Sequence, residues 1–183
     1  MSRNVFLSLA PYRPPCGKIL AMDALDRKIL AELQVDGRLS LTDLAARIGL
    51  TVSPAHRRVR DLEASGAIVG YRAVVDPKVL GLGFEALVFV TMRQEDRATL
   101  LGFEAAVAAI PNVLLAQRLF GDPDYLLRVR TTDLDAYAQL EDDVLSTLPG
   151  VQRLNSTLVM KSFVTDRPYP TDLTMRPRGA QGP

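Results

Sequence analysis

The sequence predicts an α+β protein with two domains, an N-terminal winged helix-turn-helix and a C-terminal ferredoxin-like βαββαβ domain. Three short amphipathic segments precede residue 66, and a tight turn containing a glycine separates the second from the third. An internal repeat of strand, helix and strand then fills residues 84–164. The predicted organisation is a flexible arm at 1–21, the winged helix-turn-helix at 22–75, a hinge at 76–83, the ferredoxin-like domain at 84–164 and a disordered tail at 165–183.

The composition excludes several classes of protein. Hydrophobic residues make up 48% and charged residues 23%, as in ordinary globular proteins. The apolar runs are too short to span a bilayer, so we predict no membrane partner. A single cysteine excludes an internal disulfide framework and a zinc site built from cysteines, and a single histidine further restricts metal and acid–base chemistry. We therefore expect a cytoplasmic protein without a metal or cofactor.

The first two helices have clear start and stop signals. Asp23 is the predicted N-cap of a helix that ends at Asp36-Gly37, and Ser40 with Asp43 approximates a capping box for a helix that ends at Gly49. Met22 immediately precedes the N-cap of the first helix. The chain therefore permits two starts, one with the arm of residues 1–21 and one at Met22.

The third helix is predicted to begin with Ser53 as its N-cap and Pro54 at its first position, and to end at Ser65-Gly66. Residues 68–75, which are rich in β-branched and aromatic residues, predict a strand that forms a wing or a connector.

The repeat predicts a four-stranded sheet with two helices on one face. The predicted strands are 84–94, 113–120, 125–131 and 151–164, and the helices are 97–110 and 134–148. The predicted buried stripes are Leu100, Phe103, Val107 and Ile110 in one helix, and Tyr137, Leu140, Val144 and Leu148 in the other. Alternate residues of a strand point to opposite faces of the sheet, and in the first strand both sets are apolar. We therefore expect the second face of the sheet to be covered by another subunit.

The third helix has the layout of a DNA recognition helix. With Val59 at the centre of the buried side, Arg57 and Arg60 point to the opposite face, and residues 51–60 contain three arginines and no carboxylate. Arginine can contact guanine edges or phosphates, and Ser or Thr near the helix start commonly bonds phosphate. The alternative is that the three arginines form an ordinary solvent-exposed helix face that does not bind DNA. The predicted DNA-binding residues are Thr51, Ser53, Pro54, His56, Arg57, Arg58 and Arg60.

Four fragments in this order and spacing resemble the leucine-responsive/asparagine-responsive (feast/famine) regulator family. They are residues 23–30 (DALDRKIL), 43–50 (DLAARIGL), 56–63 (HRRVRDLE) and 66–77 (GAIVGYRAVVDP). The resemblance covers about residues 22–164. It implies a sequence-specific, nucleoid-associated transcription regulator that binds double-stranded DNA. It also implies assembly into dimers and octamers, and control by a small effector, an amino acid.

The turn at residues 121–125 is the candidate effector loop. Composition alone favours a polar β-turn here, since Gly, Asp and Pro are the usual turn residues. The resemblance implies a Gly-x-x-Asp loop here that helps to bind a free amino acid between subunits. The residues that it assigns to effector binding are Arg118, Phe120, Gly121, Asp122, Asp124 and Ser156. Asp124 is the preferred partner of the ammonium group, and an effector with an aromatic or apolar side chain is favoured.

Two other functions remain open at this point. The chain could be an architectural nucleoid protein with little sequence preference, and the basic residues of its arm and tail would then add phosphate contacts. A subgroup with the same architecture decarboxylates a tetrapyrrole precursor, but the only histidine of this chain lies in the recognition helix. We therefore predict that the protein is not an enzyme.

Overall fold

The computed structural model describes residues 22–171, so the predictions for the arm at 1–21 and for the end of the tail lie outside the described residues. The chain forms two compact units. The N-terminal unit comprises residues 22–73 together with 164–171, and the αβ unit comprises residues 74–163. Each has its own buried apolar cluster.

Three helices form the core of the N-terminal unit: α1 (Ala24–Val35), α2 (Leu41–Ile48) and α3 (Val52–Ala64). The predicted caps of the first two helices are confirmed. Asp23 caps α1 in a reciprocal capping box with Asp26, and the Ser40 side chain accepts from the Asp43 backbone N–H. Gly49 ends α2 in the left-handed region at φ 73°, which glycine adopts without steric cost.

The start of α3 differs from the prediction. The helix begins at Val52, its N-cap is Thr51, and the Thr51 side chain makes no capping hydrogen bond. Ser53 is therefore inside the helix, and Pro54 occupies its third position. A proline is tolerated there because the first N–H groups of a helix have no partner within the helix. The helix ends where predicted, with Ser65 as its C-cap.

The predicted strand at 68–75 is wrong for the single chain, in which this segment has no regular structure. A strand needs a neighbour for its backbone hydrogen bonds, and no strand of the described chain pairs with this segment. Val69 and Val74 are 81% and 76% exposed. Residues 68–75 thus have the composition of a strand but no strand to pair with in the described part of one chain.

The αβ unit confirms the predicted ferredoxin-like domain. Its strands are β1 (Phe84–Met92), β2 (Val113–Arg118), β3 (Tyr125–Thr131) and β4 (Val151–Leu158), and its helices are α4 (Arg97–Ala108) and α5 (Leu134–Asp143). The antiparallel sheet has the order β2-β3-β1-β4. A 3₁₀ turn at Pro77–Leu80 precedes β1.

Both helices cover the same face of this sheet. Phe103 of α4 and Tyr137 of α5 are buried in one cluster with Val88 of β1 and Leu127 of β3. The predicted stripes are correct except at Val144, where α5 has already ended and a 3₁₀ turn, Leu145–Thr147, follows. This turn buries Leu145 completely in place of Val144. β3 has the predicted bounds, whereas the other three strands and both helices of this unit end earlier than predicted.

The first residues of the predicted disordered tail have defined contacts. The Gln34 side chain in α1 accepts a hydrogen bond from the Tyr169 backbone N–H at 2.7 Å and donates one to the Tyr169 carbonyl at 3.3 Å. Tyr169, Pro170 and Thr171 form one wall of an apolar groove of about 450 Å³ over α1 and residues 67–71. Residues 165–171 thus belong to the N-terminal unit.

Candidate DNA and effector sites

The outer face of α3 exposes most of the residues predicted to bind DNA. Ala55, Val59 and Leu62 are buried against α1 and α2. On the other side of the helix, Ser53, Arg57 and Arg60 are exposed, with Thr51 and His56 exposed beside them and Pro54 partly buried. The apolar stripe of α3 therefore packs against α1 and α2, while its hydroxyl and guanidinium groups face outward. A helix that binds in the major groove needs this arrangement.

Arg58 is the exception among the predicted residues. Its guanidinium lies 2.8 Å from a carboxylate oxygen of Asp23 and 2.7 Å from one of Asp26. Hydrogen bonds to Asp26 and Asp23 raise the pKa of Arg58, so it stays protonated. The pKa of Asp23 is lowered, chiefly because its carboxylate accepts the Asp26 backbone N–H. Arg58 thus ties α3 to the start of α1.

Sequence reasoning missed Val52, because it assigned this residue to the turn. In the structure Val52 is the first residue of α3, and its side chain is 44% exposed beside Ser53. An exposed apolar group at this position could contact a thymine methyl group in the major groove. The signal in the sequence was weak, since a single valine between two polar residues is typical of many turns.

The candidate effector loop lies at the end of the sheet where β3 begins and β1 ends. Gly121 has φ 127°, which strongly favours glycine and allows the sharp turn between Phe120 and Asp122. The loop and the end of β1 line a cavity of about 760 Å³, which we call the loop cavity. Its lining consists of Thr91, Met92, Glu95, Arg118, Leu119, Phe120, Gly121, Asp122 and Asp124.

Five of the six residues predicted to bind the effector therefore line one cavity, and the sixth does not. The Ser156 hydroxyl lies on β4 opposite Val88, where it is 2.5 Å from the Tyr137 hydroxyl and 2.8 Å from a carboxylate oxygen of Glu141. Burial and the hydrogen bond with Glu141 raise the pKa of Tyr137. Ser156 thus belongs to a separate polar cluster between α5 and β4.

Asp124 has a structural role in the loop. Its carboxylate accepts the Met92 backbone N–H at 2.7 Å, and its own N–H donates to the Val90 carbonyl at 3.0 Å. These two bonds fasten the loop to β1. The Asp122 carboxylate lies 3.5 Å from the Thr91 hydroxyl, which is a weak contact.

Sequence reasoning missed the contribution of β1 and its exit to this cavity. Thr91, Met92 and Glu95 are far from the loop in sequence, and the register that sets Val90 opposite Tyr125 brings them beside it. Below the loop, Tyr125 donates to Glu104 at 3.0 Å. Burial, with a smaller effect of Glu104, raises the pKa of Tyr125 to about 12, so its phenol stays neutral.

The second face of the sheet carries an apolar centre, which we call the open sheet face and define by Leu87, Phe89 and Leu126. Phe89 lies opposite Leu126 in the β1–β3 register, on the side of the sheet away from α4 and α5. At one end of this face, Arg130 forms a partly buried ion pair with Glu85 and donates to the Leu82 carbonyl at 3.1 Å. Neither α4 nor α5, the two helices of the αβ unit, covers this face.

A helix-turn-helix with an exposed arginine face, followed by an αβ unit with a polar cavity, defines a DNA-binding protein with a separate ligand-binding domain. Two family models match these two parts. The winged helix-turn-helix DNA-binding model matches residues 22–69, and the Lrp/AsnC ligand-binding domain model matches residues 85–169. The chain belongs to the Lrp/AsnC family of transcriptional regulators, as the resemblance implied.

The similar curated proteins are bacterial transcription regulators. A proline dehydrogenase transcriptional activator of Rhodobacter capsulatus is 38% identical over 78% of this chain and 93% of its own length. A leucine-responsive regulatory protein of Haemophilus influenzae is 37% identical over 77% of this chain and 85% of its own. These relatives identify the chain as a DNA-binding transcription regulator.

Solved structures support the same assignment. A transcriptional regulator from Neisseria meningitidis in complex with L-Met is 34% identical, with a TM-score of 0.78 over 81% of this chain and 96% of that one. A feast or famine regulatory protein from M. tuberculosis complexed with L-methionine is 32% identical, with a TM-score of 0.73 over 81% and 99%. No helix between residues 22 and 171 is both long and apolar enough to cross a membrane.

Proposed function

We propose that this protein is a homo-oligomeric, sequence-specific transcription regulator of the cytoplasm and nucleoid, and that a free amino acid modulates its binding to DNA. The observation that carries the proposal is the outward arginine face of α3 in a chain that also holds the loop cavity. Amino-acid complexes of two relatives support the choice of effector. The proposal includes no enzymatic activity, since the only histidine of the chain is His56, exposed on α3.

In the proposed DNA complex, α3 enters the major groove with its amino end toward the bases. Arg57 and Arg60 contact base edges or phosphates, and Thr51, Ser53 and His56 add contacts near the start of the helix. Pro54 fixes the first turn of the helix. Arg58 supports this surface through Asp23 and Asp26 and makes no DNA contact of its own.

In the proposed effector complex, the amino acid occupies the loop cavity. Arg118 pairs with the effector carboxylate, while Asp122 and the other carboxylates of the lining attract its ammonium group. Gly121 allows the backbone to approach the effector closely, and the fully exposed Phe120 ring covers its side chain. Asp124 supports the loop through Met92 and contributes charge.

The proposed homo-oligomer uses the open sheet face. A ferredoxin-like sheet with helices on one side leaves its other side apolar, and a second copy of the chain would bury Leu87, Phe89 and Leu126. Two copies also present two α3 helices, which suits a DNA site with two half-sites. Larger assemblies, up to octamers, would then form from these dimers.

Phe89→Arg is expected to dissociate the dimer, because the interface would have to bury an unpaired guanidinium. The expected cost is about 2 kcal/mol or more, which makes the dimer roughly thirty-fold weaker. Sedimentation velocity against protein concentration measures this change. Leu101→Arg is the control, since Leu101 is an exposed apolar residue on the helix side of the same unit. A monomeric wild-type protein would contradict the proposed interface.

The function as a whole is tested by selecting DNA sequences with the purified full chain and measuring the affinity for the selected site with and without each of the twenty amino acids. We expect one preferred sequence, and an affinity that changes with at least one amino acid. Binding that hardly distinguishes the selected site from random DNA at moderate salt would instead favour the architectural function.

A further inference from the structure

The apolar groove of the N-terminal unit, of about 450 Å³, is lined by both ends of the described chain. Met22, the first described residue, lines it, and the last described residues, 169–171, form one wall. The rest of the lining comes from α1 and residues 67–71, and Arg27 is the one charged residue among the lining residues. The groove therefore suits an apolar segment and not a charged one.

The groove collects apolar side chains that are in contact with water. Val69 and Tyr71 are exposed, and so is Met22 at 37%. Leu30 and Leu33 form part of the same lining and are only partly buried against the core of the unit. Single exposed apolar residues are common on protein surfaces, whereas a group of them in one groove indicates a binding site.

The segment before α1 is apolar and begins at this groove. Ile19, Leu20, Ala21 and Met22 are consecutive in the sequence. Met22 immediately precedes Asp23, the N-cap of α1, and an apolar residue at this position commonly fixes the direction in which the chain enters a helix. Because Met22 already lines the groove, the residues next to it can bind there by closing only a very short loop, at little cost in entropy.

Other apolar segments of the chain are less well placed to bind in the groove. Residues 5–9 are mainly apolar, but a longer stretch with three prolines separates them from Met22, so a larger loop would have to close. On the carboxyl side, the charged Asp172 directly follows Thr171, and Leu173 has polar residues on both sides. The segment that directly precedes Met22 is therefore the favoured occupant.

We propose that Ile19 and Leu20 of the same chain bind in this groove, and that the arm thereby stabilises the DNA-binding unit. The bound segment holds the start of α1 in place. Asp23, at that start, lies 2.8 Å from the guanidinium of Arg58 in α3, so the arm also supports the position of α3. A form of the protein that begins at Met22 lacks this contact.

A single tryptophan tests the inference, because the chain has no tryptophan of its own. In the full chain with Leu20→Trp, we expect fluorescence at a shorter wavelength, and weaker quenching by acrylamide, than with Leu7→Trp, the control in the distal part of the arm. Addition of Val69→Asp should shift the emission of Leu20→Trp to that of Leu7→Trp. Addition of Val35→Asp should not, since Val35 is similarly exposed but does not line the groove.

Leu20→Asp should also lower the melting temperature of the N-terminal unit by about 5 °C relative to Leu7→Asp, because the burial of one leucine is lost. Equal melting temperatures, or equal emission of Leu20→Trp and Leu7→Trp, would overturn the inference. A shift to shorter wavelength in Leu173→Trp in place of Leu20→Trp would assign the groove to the residues after 171 instead. Loss of the Leu20→Trp shift when Phe89→Arg separates the subunits would show that a partner's arm fills the groove, which also contradicts the proposal.

Discussion

The double variant Arg57→Ala/Arg60→Ala is expected to lose sequence-specific DNA binding while it remains folded. Both side chains are exposed on the outer face of α3 and make no ion pair between residues 22 and 171. An arginine bonded to a guanine edge contributes about 1–3 kcal/mol of discrimination, so the two together should reduce specific affinity by roughly thirty-fold or more. Fluorescence anisotropy with the selected duplex and a scrambled duplex measures both affinity and discrimination.

Two control variants separate the loss of a DNA contact from other effects. Arg93→Ala removes an exposed arginine from the αβ unit and should leave the discrimination unchanged. Arg58→Ala should lower the melting temperature of the N-terminal unit, because it removes the partner of Asp23 and of the buried Asp26. If the double variant kept wild-type affinity and discrimination, α3 would not be the recognition helix.

Phe103→Ala is expected to destabilise the αβ unit by about 3–5 kcal/mol, a large part of the stability of a small domain. The Phe103 side chain is 1% exposed, and its ring centroid lies 4.6 Å from that of Tyr125. Truncation leaves a cavity at the centre of the cluster formed by α4 and the sheet. Chemical denaturation followed by circular dichroism should show an earlier transition for this unit.

The N-terminal unit should be much less affected by this change, because its buried cluster around Ile29 and Leu44 is separate. Ile29→Ala is the reciprocal variant and should destabilise the N-terminal unit instead, since Ile29 is completely buried. Equal destabilisation of both units by Phe103→Ala would show that they unfold as one cooperative domain.

Several structural features were predictable because they depend on local physics. Asp23 and Ser40 cap helices in the described chain, since their short polar side chains satisfy N–H groups a few residues away. The repeated spacing of Leu100, Phe103 and Val107 correctly predicted the buried face of α4. The pattern around Val59 likewise placed Arg57 and Arg60 on the exposed face, since neighbours on a helix differ by about 100°.

The sequence alone could not show that Arg58 pairs with Asp23 and Asp26, because that contact depends on how α3 crosses α1. The strand predicted at 68–75 failed for a similar reason, as β propensity without a neighbouring strand leaves the backbone unpaired.

By itself, the sequence determined the order of the five α-helices and of the four strands of the sheet, most of their buried faces and the arginine face of α3, because these follow from periodicity and capping along the chain. Only the tertiary structure decided which distant groups share a site. The antiparallel register of β1 and β3 sets Glu95 at the same cavity as Asp122, and the β1–β4 register leaves Ser156 near Tyr137 instead. Contacts of this kind depend on how strands pair in space, and spacing along the chain does not encode that pairing.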